Sequence, residues 1–259
     1  MTIHETSIIH PSSKIGNSVE IGPYCIIGKN VEIKDGNKLL SHVVVKGPTS
    51  IGSDNIFYQF STIGEDTPDK KFKGEETKLE IGNNNIFREG VTVHRGTIQD
   101  AGITKICSDN LFMAYSHIAH DCEVGNGNVF ANNAGIAGHV NIGNKVTLGA
   151  LTTVHQFCKL GDFSFVGMNT SINMDIPAYV KVAADPARVI GLNTVGMTRN
   201  DISADSISLI KKAYKLLYKK KLKIDQAIGK IKDLNHNEND PYLDIFIKSI
   251  EISERGILR

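Results

Sequence analysis

The stretch "IAHDCEVGNGNVFANNAGIAGHVNIGNKVTL", residues 118–148, carries a large aliphatic or phenylalanine side chain at every sixth position. The same phase extends in both directions along the chain and breaks twice. Because only 41% of the residues are hydrophobic, unbroken runs of this length indicate a structural repeat. The repeated positions are Ile9, Ile15, Ile21, Ile27, Ile33, Leu39, Val45, Ile51, Phe57 and Ile63; Ile81, Phe87 and Val93; and Ile106, Phe112, Ile118, Val124, Phe130, Ile136, Ile142, Leu148, Val154, Leu160, Val166 and Ile172.

Each six-residue unit predicts a short strand followed by a turn. Glycine often follows the apolar residue, as at Gly22 and Gly125, where it permits a turn with positive φ. Three units would close one triangular coil of 18 residues, with the large side chains stacked inside. Adding coils at about 4.8 Å gives a solenoid of about eight coils and roughly 40 Å. The interruptions, residues 64–78 and 97–104, predict loops ejected from its corners.

The six-residue period stops near Asp175, and the remaining sequence predicts helices. Residues 176–191 contain two prolines and predict a connector. A helical period begins after Ser203, and further helices are predicted over residues 224–234 and 241–252. We therefore predict a mainly β solenoid over residues 1–185 and an α-helical domain over residues 186–259.

Composition excludes several classes of function. A formal net charge of +1 argues against nucleic-acid binding, and no apolar run is long enough for a membrane segment. The polar start of the chain indicates no signal peptide, and four widely spaced cysteines are typical of reduced thiols in a cytoplasmic protein. An exposed lysine-rich helix face is either simply solvated or a docking patch for an acidic partner. Its members are Lys211, Lys212, Lys215, Lys219, Lys220 and Lys221.

An 18-residue coil brings a group of histidines onto one face of the solenoid. Gly138 lies 18 residues after His120, and Gln156 lies 36 after it. A neutral imidazole is a suitable general base near pH 7, Asp121 could orient it, and the Gly138 backbone N–H could stabilise an oxyanion. His117, His139 and His155 join the same strip. Alternatively, these histidines are ordinary surface residues or metal ligands, although no HxxxxH spacing occurs and we predict no metal site.

These motifs resemble those of the hexapeptide-repeat acyltransferases, and most closely the UDP-N-acetylglucosamine O-acyltransferase family. The resemblance is carried by "HIAHDC", "ANNAGIAGHV", "TTVHQFC", "VTVHRGT" and the helical C-terminal segment, and it covers nearly the whole chain. It implies a left-handed parallel β-helix, a handedness opposite to the usual crossover rule. It also implies transfer of an (R)-3-hydroxyacyl chain from acyl carrier protein to the 3-hydroxyl of UDP-N-acetylglucosamine, the first step of lipid A biosynthesis. The carrier-protein thioester is then a co-substrate, and no cofactor is expected.

The resemblance also implies roles for individual residues. His120 is the general base, Asp121 its orienting partner and the Gly138 backbone the oxyanion donor, while Met168 limits the length of the acyl chain. Val195 and Asn200 depart from the family pattern near the nucleotide. The family forms homotrimers with active sites between subunits. The implied substrate-binding residues are Asp69 and Lys71 of a "DxK" loop, with His117, His139, His155, Gln156, Asn193 and Arg199.

Other functions remain open at the level of the sequence. A related N-acyltransferase of the same pathway carries an additional N-terminal domain, whereas the repeats here begin by Ile9. An acetyl-CoA-dependent hexapeptide enzyme, amide formation on a 3-amino sugar, and a non-catalytic scaffold are further alternatives.

Overall fold

The computed structural model describes all 259 residues, except for the side chain of residue 237. The strands are short, and most contain two residues. The first eleven are β1 (Thr2–Ile3), β2 (Ile8–Ile9), β3 (Lys14–Ile15), β4 (Glu20–Ile21), β5 (Ile26–Ile27), β6 (Val31–Ile33), β7 (Lys38–Leu39), β8 (Val44–Val45), β9 (Thr49–Ile51), β10 (Ile56–Phe57) and β11 (Thr62–Glu65). The next three are β12 (Lys78–Ile81), β13 (Ile86–Phe87) and β14 (Thr92–His94). The rest are β15 (Ile103–Ile106), β16 (Leu111–Phe112), β17 (His117–Ile118), β18 (Glu123–Val124), β19 (Val129–Phe130), β20 (Gly135–Ile136), β21 (Asn141–Ile142), β22 (Thr147–Leu148), β23 (Thr153–Val154), β24 (Lys159–Leu160), β25 (Phe165–Val166), β26 (Ser171–Ile172), β27 (Val180–Ala183) and β28 (Arg188–Leu192).

The strands form three sheets that are the faces of a left-handed parallel β-helix. Every third strand pairs with the next in parallel, so β1, β4 and β7 begin face A, β2, β5 and β8 begin face B, and β3, β6 and β9 begin face C. Thr2 pairs with Glu20, and Glu20 pairs with Lys38. The coil of 18 residues is therefore confirmed.

The large side chains of the repeat fill the interior of the prism. Phe57, Phe87, Phe112 and Phe130 are fully buried, and consecutive rings lie about 5 Å apart, as 4.8, 4.9 and 5.1 Å between centroids. Cys25, Cys122 and Cys158 are buried and Cys107 is exposed, which agrees with a packing role for the first three. Burial of this apolar column is the main stabilising contribution to the solenoid.

The turns differ from the prediction in one respect. At most corners positive φ falls on the third residue, such as Tyr24 (φ 59°) and His139 (φ 63°), rather than on the glycine that follows the apolar residue; Gly64 (φ 75°) is an exception. The glycine that follows the apolar residue is needed for a different reason, because the backbone of the next coil leaves no room for a Cβ. A Cβ on Gly22 would lie 2.9 Å from the Leu40 carbonyl oxygen.

Both interruptions of the repeat leave the solenoid at the same corner, between faces B and C. The first runs from the end of β11 to the start of β12, and the second from the end of β14 to the start of β15. Parallel pairing continues from coil to coil across each loop, with Thr62 opposite Thr92 and Thr92 opposite His117, although the register shifts between Ile63 and Glu65. Insertions at this corner therefore leave the stacked core intact.

The C-terminal part closes the end of the solenoid. It contains α1 (Thr194–Arg199), α2 (Ala204–Tyr218), α3 (Ile224–Glu238) and α4 (Pro241–Glu251). The helices predicted after Ser203 are present, and Ser203 caps α2 by accepting from Ser206 N. No helix in the described residues is long and apolar enough to span a membrane.

The segment predicted as a connector, residues 176–191, is more ordered than that. β27 continues face A in parallel with β25, and β28 folds back antiparallel on β27. The predicted domain boundary between residues 185 and 186 falls in the turn between them. Helix α1 was not predicted, because six residues are too few to show a helical period.

Candidate active site

The predicted histidine strip lies at the corner between faces B and C, residues 119–122, 137–140 and 155–158, here called the histidine corner. His117 pairs with Gly135, and Gly135 pairs with Thr153, so the coils follow the 18-residue spacing through this region. The regular pairing of successive coils therefore stacks their turns, and these turns form the histidine corner.

His120 and Asp121 form a hydrogen-bonded pair at this corner. His120 Nδ1 lies 2.8 Å from Asp121 Oδ2, and the Asp121 side chain is 1% exposed. Thr97 donates from its backbone N–H to Asp121 Oδ1 at 2.8 Å and from its hydroxyl to Oδ2 at 2.6 Å. Burial raises the pKa of the Asp121 carboxyl, but the hydrogen bonds from His120 and Thr97 outweigh burial and hold the pKa below its usual value.

The tautomer of His120 follows from this pairing. An ionised carboxylate only accepts hydrogen bonds, so the proton of the neutral imidazole lies on Nδ1. Nε2 is then an acceptor and is available to take a proton from a substrate hydroxyl. The pair has the geometry of a general base with an orienting partner.

Gly138 lies directly against the His120 ring. A Cβ built on Gly138 would lie 2.5 Å from His120 Cε1 and 2.7 Å from Nε2, so no other residue fits without moving the imidazole. The Gly138 carbonyl accepts from Phe157 N at 3.2 Å, while its own N–H has no acceptor among the described residues. A free N–H on the residue that packs against the imidazole is available as an oxyanion donor.

A second, more buried pair of imidazoles lies beside His120. His117 Nδ1 is 2.7 Å from Thr92 Oγ1, and the rings of His94 and His117 meet edge to face with centroids 4.9 Å apart. Burial and the neighbouring imidazole of His117 lower the pKa of His94 to about 4. Burial and the neighbouring His120 also lower the pKa of His117. Both rings are therefore neutral near pH 7.

His139 lies in the next coil, above His120. The two rings meet edge to face with centroids 5.1 Å apart, and His139 stacks on Phe157 at 4.5 Å. Its Nδ1 is 2.7 Å from Asp100 Oδ2, a residue of the second loop. His155 and Gln156 are exposed in the following coil.

Other residues implied by the resemblance lie elsewhere. Asp69 Oδ1 accepts from Lys71 N at 2.8 Å within the first loop, and the Lys71 side chain is exposed. Asn193 caps α1 and donates from Nδ2 to the Phe163 carbonyl at the corner between faces C and A. Arg199 is exposed at the end of α1, and Met168 is 71% exposed at the corner between faces A and B. One protomer thus distributes these residues over all three corners.

The two residues expected to depart from the family pattern lie at α1, Val195 within the helix and Asn200 at its C-cap. Val195 is 57% exposed, and Asn200 donates from Nδ2 to the Gly196 carbonyl at 2.9 Å as part of the helix end. Neither side chain reaches the histidine corner of its own protomer through any recorded contact among the described residues.

Metal binding at this corner has to be weighed against hydrogen bonding. His120, Asp121 and His139 offer ligand atoms that all lie within 4.8 Å of one another. However, His120 Nδ1 and Asp121 Oδ2 already face each other at hydrogen-bond distance, and Thr97 donates to both carboxylate oxygens. The donor set therefore favours a hydrogen-bonded pair, and the lack of a metal stays a prediction.

Several residues of the site were not predicted from the sequence. Thr97 and Asp100 lie in a loop that appears in the sequence only as a break in the repeat. His94 lies within the motif "VTVHRGT", whose spacing predicts no role for it. The second loop adds seven residues to one coil of 18. If these seven residues are left out of the count, Val93 aligns with Ile118, and this alignment places His94 beside the histidine corner.

Comparison with known proteins identifies the family. A model of UDP-N-acetylglucosamine O-acyltransferase domain 2 matches residues 175–258, and the bacterial transferase hexapeptide model matches residues 1–35 and 103–138. The acyl-[acyl-carrier-protein]–UDP-N-acetylglucosamine O-acyltransferase of Stutzerimonas stutzeri is 46% identical over 257 residues, 99% of each chain. This chain belongs to the UDP-N-acetylglucosamine O-acyltransferase family.

Solved structures of the UDP-N-acetylglucosamine O-acyltransferase family agree with this fold throughout. LpxA from Acinetobacter baumannii is 50% identical, covers 100% of both chains and has a TM-score of 0.97. The enzyme from Moraxella catarrhalis is 47% identical with the same coverage and TM-score. Similarity of this extent covers the solenoid, both loops and the helical domain.

Proposed function

We propose that this chain transfers an (R)-3-hydroxyacyl group from acyl carrier protein to the 3-hydroxyl of UDP-N-acetylglucosamine, the first step of lipid A biosynthesis. Membership of the UDP-N-acetylglucosamine O-acyltransferase family supports the reaction class and both substrates. The observation that carries the mechanism is the position of the Gly138 backbone against the His120 ring, with the Asp121 carboxylate hydrogen-bonded to His120 Nδ1.

In this mechanism His120 Nε2 removes the proton of the sugar 3-hydroxyl as its oxygen attacks the thioester carbonyl. The Asp121 carboxylate holds the imidazole in the required tautomer and stabilises the imidazolium that forms. Such a base supplies about 10²–10⁴ in rate. The imidazolium then returns its proton to the departing thiolate of the carrier protein, which completes the transfer.

The carbonyl oxygen becomes an oxyanion during the attack, and the Gly138 N–H is its proposed donor. A single donor of this kind contributes about 10²–10³ in rate. Because Gly138 has no side chain, the His120 ring packs directly against its backbone, which keeps the proposed donor and the base next to each other. Asp69, Lys71, His117, His139, His155, Gln156, Asn193 and Arg199 are proposed to bind the substrates, with Lys71 compensating phosphate charge.

We further propose a homotrimer with the active site between subunits. Within one protomer His120 and Asn193 lie at different corners, so a shared site needs the corner of one protomer to face α1 of another. The corner between faces A and B supports this, because it carries a column of exposed apolar side chains. These are Tyr24, Phe60, Tyr115 and Leu151, which are 58%, 64%, 67% and 54% exposed, with Met168 beside them.

The test is an acyl-transfer assay with labelled UDP-N-acetylglucosamine and a series of (R)-3-hydroxyacyl carrier proteins, with EDTA present throughout. We expect ester formation by the wild-type chain and a loss of about 10²–10⁴ in kcat for His120→Ala. Acetyl-CoA as donor, and the 3-amino analogue of the sugar as acceptor, are run in parallel. Transfer only from acetyl-CoA, or only to the amine, would reject the proposal.

Met168 is proposed to limit the length of the acyl chain. Its side chain is exposed in the protomer beside the apolar column, where it would enter a groove between subunits. We expect Met168→Gly to shift preference toward hydroxyacyl chains longer by several carbons, measured as kcat/KM over the donor series. An unchanged profile would contradict this role. The cytoplasmic location and the absence of a cofactor likewise stay predictions.

A further inference from the structure

The second loop does more than interrupt the repeat. Within residues 95–102 it contacts the histidine corner at two points: Thr97 on Asp121 and Asp100 on His139. Thr97 is 1% exposed although it belongs to a loop. Burial of the polar Thr97 side chain against the Asp121 carboxylate indicates a specific role for this loop residue.

Thr97 satisfies both oxygens of the Asp121 carboxylate. Its backbone N–H donates to Oδ1, and its hydroxyl donates to Oδ2, the same oxygen that faces His120 Nδ1. Two donors on different oxygens prevent rotation of the carboxylate about its Cβ–Cγ bond. The Asp121 backbone N–H in turn donates to Thr104 Oγ1 at 2.8 Å, in β15 just after the same loop.

The start of the loop is fixed as well. The buried Arg95 side chain donates to the Gly64 carbonyl in β11 and pairs with Asp66 at the start of the first loop. Gly96 has no room for a side chain, since a Cβ there would lie 2.2 Å from Ile103 N. Thr97 is therefore presented to Asp121 by a segment anchored on both sides.

We propose that Thr97 is a positioning residue for the acyl transfer, acting through Asp121 on His120. The proposal rests on the proposed function for its kinetic readout. Thr97 fixes the carboxylate in the plane that receives the His120 Nδ1–H, and it shares the negative charge of Oδ2. It touches no substrate.

Replacing Thr97 by valine removes one donor while keeping shape and backbone. Without the hydroxyl, Oδ2 carries more uncompensated charge toward His120, which favours the imidazolium. The other ionisable groups around His120 stay in place: His139 above it, His117 and His94 beside it, and Asp100 on His139. The acidic limb of the kcat/KM profile should therefore move to higher pH in Thr97→Val.

The experiment compares Thr97→Val, Thr97→Ser and the control Thr152→Val. Thr152 is also buried, and its hydroxyl donates to the Gly167 carbonyl at the corner between faces A and B. We expect Thr97→Val to lower kcat about 10- to 100-fold with little change in KM, as for other partners that orient a functional side chain. Thr97→Ser should restore both rate and pH profile. Equal effects of Thr97→Val and Thr152→Val, or an unmoved acidic limb, would overturn the proposal.

A second measurement separates this inference from the proposed function. NMR titration of labelled histidines follows the protonation of His120 with no substrate present. We expect the His120 signal of Thr97→Val to titrate at higher pH than that of the wild type. If the wild type transfers no acyl group, the proposed function fails while this titration still tests Thr97. Coincident His120 titrations in the two proteins would reject the role of Thr97.

Discussion

At the residue scale, the site depends on side chains that pack so closely that an added methyl group would not fit. Gly138 is the clearest case, because its missing side chain is the space that the His120 ring occupies. Asp121 is similar in electrostatic terms, since three hydrogen bonds stabilise its charged form inside the fold. Small substitutions at these positions should therefore affect chemistry more than stability.

We predict that Gly138→Ala lowers kcat by about 100-fold or more. The added methyl group would meet His120 Cε1 at 2.5 Å and displace the imidazole from the acyl site. The control is Gly28→Ala in the corner between the same two faces, where the nearest atom to an added Cβ lies at 3.3 Å. Comparable kcat values for wild type and Gly138→Ala would contradict the placement of the acyl group here.

We predict that the histidine corner makes the fold acid-sensitive. The pKa of His94 falls from 6.5 to about 4 on folding, so between those values the unfolded chain binds a proton that the folded chain does not. The unfolding free energy is therefore highest above about pH 6.5. It decreases as the pH falls toward 4, by about 1–2 kcal/mol after allowance for solvent screening.

Urea titrations at several pH values measure this effect. His94→Gln should flatten the decrease in unfolding free energy between pH 6.5 and 4, since it removes the group that is protonated only on unfolding. His10→Gln, at an exposed position, serves as the control. Parallel curves for wild type and His94→Gln would exclude His94 as the source.

At the scale of elements, a buried ladder of asparagines ties successive coils together. Asn37 Oδ1 accepts from the backbone and side chain of Asn55, and Asn55 Oδ1 accepts in the same way from Asn85. Asn85 and Asn110 repeat the pattern. The ladder runs along the corner between faces C and A, whereas the inserted loops leave from the corner between faces B and C. It therefore maintains the register of the coils in which the loops interrupt the repeat.

We predict that Asn85→Leu lowers the unfolding free energy by about 2–3 kcal/mol. The change removes Asn85 Oδ1, the acceptor for both the backbone N–H and the side-chain amide of Asn110, in a buried position. Asn126→Leu is the matched control, because Asn126 bonds Asn144 on the exposed side of the same corner. Chemical denaturation compares the two variants. Equal losses would show that burial of the ladder is unimportant.

At the scale of the whole molecule, the solenoid separates the residues that the reaction must bring together. Each corner has its own character: histidines between faces B and C, exposed aromatic side chains between faces A and B, and asparagines between faces C and A. An exposed apolar column of this length is typical of an interface between subunits. Assembly is therefore expected to complete the site.

We predict that Tyr115→Glu dissociates the proposed trimer and abolishes acyl transfer while each protomer stays folded. Tyr115 is 67% exposed in the middle of the apolar column, and a buried carboxylate without a partner would be costly there. Lys230→Glu adds the same side chain on the exposed surface of α3 and should remain trimeric. Sedimentation velocity and circular dichroism give the readout. A trimeric, active Tyr115→Glu protein would exclude this corner from the interface.

The sequence by itself determined the repeat, the 18-residue coil and the stacking of His120, Gly138 and Gln156, since inward packing of one apolar residue in six leaves a single register. Only the tertiary structure decided the rest. Thr97 and Asp100 reach the site through a loop whose conformation depends on contacts with other coils, and His94 reaches it from the end of β14. β27 pairs as a strand because β25 presents an open sheet edge to it, and β28 then pairs with β27. Local periodicity specifies a solenoid coil by coil, whereas the partners of an inserted loop are set by surfaces that form only once the coils have stacked.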